Sequence, residues 1–417
     1  MNTTLENSYA RSTRLAYITT RLVDTPFWSI YNMLPVIIYK ELHASPWQLA
    51  VMIALKPLVS LLSMYWSAAI DKRRDRLVSN ILWARLLGYL PFFFFPFANS
   101  PWFFIFSFGL YMMLAVGTVP AWMELLKLNI PNRSRERLFS YTQAFGYMGG
   151  GLLPFILGGL LDGYFEAWRW LFPLASLLAL TAFCLQKRIL VPAAPQAMPC
   201  SSSPVGPATL LQLFLKPWAN AWRLIARQRK FRYFQLGSMA VGSGLMVIQP
   251  ALPVFFVDTL KLSYTEIAIA LTLCKGLGFA AASPLWAHWI HQKDIFFFSA
   301  TVAALGCLFP ACLMVATWHL LWLYLGYFCY GVMQAGNELL WNMSGPLFAK
   351  EGDSSVYTSV NVVAVGLRGC CIPAVGGLVC ASCGAGAVMT LSAALCLAAT
   401  GWFATCRRQS PNVVKIK

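Results

Sequence analysis

Ionisable side chains interrupt long apolar runs at Arg21, Asp24, Lys56, Arg85, Glu124, Lys275, Glu338 and Arg368. A charge placed in hydrocarbon costs about 2.5–3.5 kcal/mol even on lenient scales, so each implies a partner, a wet cavity or a ligand. Burial raises a carboxylate pKa and a nearby cation lowers it, which are the properties a proton-coupling group needs. Asp24 and Glu338 are the candidates for that role. Lys56 and Lys275 hold matching places in two similar stretches, "ASPWQLAVMIALK" and "LSYTEIAIALTLCK". From there they are expected to converge on an anion. Cations outnumber acids in this set, which favours an anionic or zwitterionic ligand unless lysines and carboxylates pair among themselves. Arg21 and Asp24 are spaced i, i+3 on one helical face. They read either as an internal ion pair or as a placement of Asp24 against a solute. Glu338 reads either as a coupling group or as a partner of Arg368 or Lys275, and Arg85 as a partner of Glu124 or Asp71.

Other chemistries lack their residues. No phosphate-binding glycine loop, zinc-protease motif or serine elbow is present, so neither ATP hydrolysis nor enzymatic turnover is expected. Cysteines inside apolar runs behave as small apolar residues; a Cys380–Cys383 disulfide is open, with packing the favoured reading. His288 and His291 supply too few ligands for a metal. No cofactor and no metal is expected.

These side chains must be positioned by elements that suit lipid. Hydrophobic residues make up 58% of 417 and charged residues 11%, against about 45–50% and about 25% in soluble domains. Mean hydropathy is +0.61. Apolar runs of about 20 residues recur throughout, each enough to cross roughly 30 Å of hydrocarbon as a helix. The chain therefore reads as an all-α polytopic membrane protein. Twelve spans are expected, near 15–38, 47–70, 77–98, 102–125, 138–161, 168–186, 232–256, 265–289, 295–316, 319–343, 356–380 and 385–405. The first lacks a cleavage site and reads as a retained helix.

The net charge of +17 is distributed as membrane orientation requires. Lys40, Arg169 and Lys261 fall in expected outer connections. Basic runs fill the others, among them "DKRRDR" (71–76), the stretch 187–232 and the tail from Arg407. This positive-inside pattern places both termini in the cytoplasm and argues against nucleic acid. The domain reading is a cytoplasmic N-terminus (1–14), a six-helix bundle (15–186), a linker with a basic interfacial helix (187–231), a second six-helix bundle (232–406) and a cytoplasmic tail (407–417). The linker's Trp, Leu and Arg mixture suits anionic lipid at the inner face. "YTQAFGYMGGGLLPFILGG" (141–159) and "YTSVNVVAVGLRGCCIPAVGG" (357–377) echo each other across the halves, as internal repeats do in many transporters.

Three local patterns add a resemblance. "EAWRWLFPLASLLAL" (166–180), the glycines and Pro154 of 146–159, and the 71–76 loop are similar to features of the major facilitator superfamily. In that loop Asp71, Lys72 and Arg76 fit the family's signature, while Ser67 and Arg74 stand where glycines are usual. The resemblance implies two pseudo-symmetric six-helix bundles and secondary transport of a small solute by alternating access, but not membership of a proton-driven drug or sugar subfamily; Asp24 and Glu338 stay proton-coupling candidates on their placement in apolar runs. It implies gating by Asp71, Lys72 and Arg76; Glu124, near the inner end of the fourth span, and Arg368 are the further gating candidates. Expected substrate contacts are Asp24, Tyr31, Asn32, Lys56, Trp122, Gln249, Lys275, Asn337, Glu338 and Trp341. A monomer in a bacterial inner membrane is expected. The alternatives are a transporter-like solute sensor and, behind it, a membrane-embedded enzyme.

Overall fold

A computed structural model describes residues 3–71, 76–130, 155–164, 166–190, 222–290, 294–349 and 354–409, with isolated residues between them. Among the described residues the regular structure is helical. The longer helices are α1 (Thr3–Leu42), α2 (Pro46–Asp71), α3 (Leu77–Phe97), α4 (Pro101–Asn129), α5 (155–163), α6 (Ala167–Gln186), α7 (Arg229–Thr259), α8 (Tyr264–Ile290), α9 (Ile295–Val315) and α10 (Leu321–Ala349), and a short helix covers 222–227 in the linker. The last helical run, Ser354–Gln409, breaks at Gly384, whose φ of 81° is open to glycine, giving α11 (354–383) and α12 (385–409). Seven described stretches are long and apolar enough to cross a membrane. Most of the expected fifth span and most of the 187–231 linker lie outside the described residues.

Local sequence explains the helix ends. Pro101 opens α4 at a position where a missing N–H costs nothing. Ser263 and Glu266 form a capping box at the start of α8, with Ser263 N donating to Glu266 Oε2 at 2.8 Å. The proline-bounded "LPFFFFPF" tightens the end of α3 into a 3₁₀ helix. Short π-helical stretches occupy 255–259 and 269–274.

The chain divides into two compact units, Met1–Ala197 with Leu262–Thr272, and Met198–Lys261 with Leu273–Lys417. In the first, α1 packs on α4 and α6, and α2 and α3 pack on α4. Its core is aromatic: Phe27, Phe92, Phe95, Phe104 and Phe172 are fully buried, and Tyr31 stacks on Phe108 with centroids 4.4 Å apart. Such pairs contribute about 0.5–1.5 kcal/mol each beyond burial.

In the second unit, α7 and α9 pack on the α11–α12 run, and α10 packs on α8 and α9. The α8–α10 crossing depends on glycine. A Cβ on Gly331 would stand 2.0 Å from the Lys275 carbonyl oxygen, and one on Gly278 would stand 2.1 Å from that of Phe328. Lipid tails are as apolar as leucine, so helices in a bilayer gain by close backbone packing rather than by hydrophobic burial. Large apolar side chains left on the outside, such as Trp83, Phe106, Leu174 and Leu285, suit acyl chains.

Candidate functional site

The first unit holds a cleft of about 180 Å³. On α1, Tyr17, Thr20, Arg21, Asp24 and Trp28 line it, spaced so that a 3.6-residue period places them on one face. Arg85 and Tyr89 reach it from α3 at i, i+4, and Tyr111 and Trp122 from α4. Asp24 is the hub. Both Arg85 Nη groups donate to its carboxylate, Nη1 to Oδ2 at 3.2 Å and Nη2 to Oδ1. The Tyr89 hydroxyl donates to Oδ1 at 3.0 Å and lies 3.4 Å from the Tyr111 hydroxyl. The Asp24 side chain is 16% exposed and that of Arg85 7%. Two-pronged pairing of this kind fixes geometry as well as charge.

Two expected pairings are thereby corrected. Asp24 pairs with α3 rather than with Arg21 one turn away, because Arg21 donates instead to the Tyr17 hydroxyl at 3.3 Å. Arg85 pairs with Asp24 rather than with Glu124 or Asp71. The ion pair is neutral as a whole, so Arg21 leaves the cleft with a net positive charge.

The second unit holds a smaller cleft, about 50 Å³, between α7, α10 and α11. A polar chain runs along it. Gln235 Nε2 donates to Asn361 Oδ1, Asn361 Nδ2 donates to Ser344 Oγ at 2.8 Å, and Ser344 Oγ donates to the Trp341 carbonyl at 3.2 Å. Asn337, Trp341 and Arg368 also line this cleft.

The remaining expected residues lie outside these two clefts. Tyr31 lies in the aromatic core and donates to the Phe108 carbonyl at 2.9 Å, while Asn32 and Lys56 are exposed on α1 and α2. Gln249 is half-buried in the turn at 248–250. The Lys275 ammonium lies 5.1 Å from the Tyr330 ring centre. Glu338 is exposed on α10 and Glu124 half-buried on α4. Arg76 is exposed at the start of α3, Asp71 ends α2 with its side chain outside the described atoms, and Lys72 lies outside the described residues. Cys380 and Cys383 are free thiols. Among the described residues no cluster suited to a metal ion is found.

Sequence reasoning missed Tyr89, Tyr111, Gln235, Asn361 and Ser344. Their only advance signal was a polar group in an apolar helix, which many satisfied core residues share. Asp162 was also missed. It anchors the start of α8 within the first unit, accepting from Tyr264 N (2.8 Å), Thr265 N (2.9 Å) and Thr265 Oγ1 (2.7 Å). Tyr264 in turn donates to Glu41 at 2.7 Å.

A family model described as Major Facilitator Superfamily matches residues 16–370. No curated protein matches the sequence. Solved structures similar to this one include a point mutant of the nucleoside transporter NupG, with a TM-score of 0.70 and 13% identity over 94% of this chain and 99% of that one. A bacterial homolog of the human lysosomal transporter Spinster gives 0.63 and 15%, covering 98% of each. A POT family transporter bound to a thioalcohol-conjugated peptide gives 0.69 and 12%, over 96% and 97%.

Proposed function

The chain belongs to the Major Facilitator Superfamily, and from that premise we propose that it is a secondary transporter moving a small anionic or zwitterionic solute by alternating access, with Asp24 as a proton-coupling group. The observation that carries the reading is the Asp24–Arg85–Tyr89 network on the wall of a cleft that also holds Arg21. Protonating Asp24 removes the charge that holds Arg85 and leaves two cations facing the cleft, a state that favours an incoming anion. Deprotonation restores the ion pair and weakens that hold. Proton and solute are thus linked through one carboxylate. Glu338 is a second coupling candidate, and Asp71, Lys72, Arg76 and Glu124 remain the proposed gating set. The family and the neighbouring folds support transport over catalysis.

The test is uptake into proteoliposomes under an imposed proton gradient. In Asp24→Asn, gradient-driven accumulation is expected to fall to background while solute exchange across the membrane persists. Accumulation that still follows the gradient in this variant removes Asp24 from the coupling step.

A further inference from the structure

Arg368 sits about fourteen residues, or roughly 21 Å of helix, from either end of α11. That is too deep for its head to reach an interface easily. Guanidinium carries five N–H donors and stays protonated in proteins. One is visibly spent, Nη1 donating to the Ser238 carbonyl of α7 at 2.8 Å. The group rests against the α7 backbone where Gly242 leaves room; a Cβ there would stand 1.7 Å from Nη1. Nε is buried without an acceptor. Among the described residues, Arg368 has no carboxylate partner and no hydrogen bond through Nη2.

The surrounding polar groups do not supply the missing charge. Asn361 has both ends of its amide engaged, and Ser344 donates to a backbone carbonyl. A cation left so deep without an anion is costly. Among the four unspent donors, Nε–H and the Nη2–H beside it form the side-on edge of the guanidinium, the edge that matches the two oxygens of a carboxylate. The cleft of about 50 Å³ exceeds the roughly 10–15 Å³ that one water needs on the same measure, which suits a head group rather than a whole solute. Its other walls include Trp341 and Leu340, which suit an apolar body.

We infer that Arg368 is the carboxylate-binding group of the second unit, receiving a planar carboxylate side-on through Nε–H and Nη2–H. This assigns Arg368 to solute binding rather than to gating. It deepens the transport reading, on which it rests for the claim that the bound carboxylate is cargo.

Calorimetric titration of the full chain in lipid nanodiscs tests it, with benzoate and hexanoate against benzamide and hexanamide. The acids are expected to bind and the amides not. Arg368→Lys keeps the charge but loses the fork, and is expected to weaken the acids roughly tenfold or more. Trp341→Ala leaves the tie to Ser238 intact and is expected to weaken benzoate more than acetate. Equal binding of acids and amides overturns the assignment, as does unchanged affinity in Arg368→Lys, equal loss of benzoate and acetate in Trp341→Ala, or binding of inorganic phosphate without binding of the acids. Carboxylate binding without flux in proteoliposomes keeps the inference and removes the transport reading. Gradient-driven flux of an anion other than a carboxylate, without carboxylate binding, does the reverse.

Discussion

At the residue scale, Asp24 and Arg85 form a buried pair whose halves are unequal to the whole. Removing one partner leaves an uncompensated charge at a cost of about 3–5 kcal/mol, while replacing both is far milder. Arg85→Ala is therefore expected to lower the thermal midpoint sharply, and Arg85→Ala with Asp24→Ala to recover much of the loss. A double-mutant cycle measured by thermal unfolding in detergent checks this. Additive losses would show that the pair is not coupled. The sequence made both residues conspicuous but not their union. Arg21 stands three positions from Asp24 and draws the eye, whereas Arg85 is 61 positions away. The packing of both α1 and α3 on α4 brings it near. The same limit hid Tyr89 and Tyr111, whose hydroxyls acquire meaning from a carboxylate on another helix. Arg368 was legible as a deep cation, but its unspent edge was not.

At the element scale, glycine sets how closely α8 and α10 approach. Gly331→Ala places a methyl group against the Lys275 carbonyl, and overpacking of this kind costs about 1–3 kcal/mol. Gly276→Ala, where a Cβ meets nothing within 4 Å, is the control and is expected to be neutral or slightly stabilising. Comparing the unfolding midpoints of the two variants tests the crossing. The start of α9 offers a pH prediction. Burial pushes the Asp294 carboxyl above its ordinary value, although the amides of Ile295–Phe297 and Arg407 oppose this, and neither carboxylate oxygen closes a hydrogen bond. A carboxyl raised in the folded state contributes stability at pH below its unfolded value, and that contribution is lost as pH climbs through the folded value. Asp294→Asn removes the charge at nearly constant shape and is expected to raise the midpoint at pH 7 but not at pH 3. Helix positions were largely legible because apolar runs and flanking prolines announce them. The π-helical stretches were not, since they answer to packing rather than to propensity.

At the scale of the whole molecule, composition already specified lipid as the solvent, and the exposed surface agrees. Trp83 is 60% exposed on α3, while Trp168 is 2% exposed inside the first unit. Brominated acyl chains are expected to quench Trp83 strongly and Trp168 little, read as the quenching lost in Trp83→Phe and retained in Trp168→Phe. Equal effects would mean that α3 does not face lipid. The family was legible from hydropathy and local patterns together. The partnership of 262–272 with the first unit was not, because a run that follows the central linker reads as part of the second half. Asp162 reverses that by gathering the first amides of α8.

The break at Gly384 has a practical consequence. It leaves Cys383 as an exposed thiol at the end of α11, while Cys184 is exposed near the end of α6, three residues before Lys187. The positive-inside expectation puts Cys184 on the cytoplasmic side and Cys383 on the other, which makes the two cysteines natural sidedness markers. A maleimide too polar to cross the bilayer, applied to intact cells, is then expected to tag Cys383 and spare Cys184, with the order reversed in inverted vesicles.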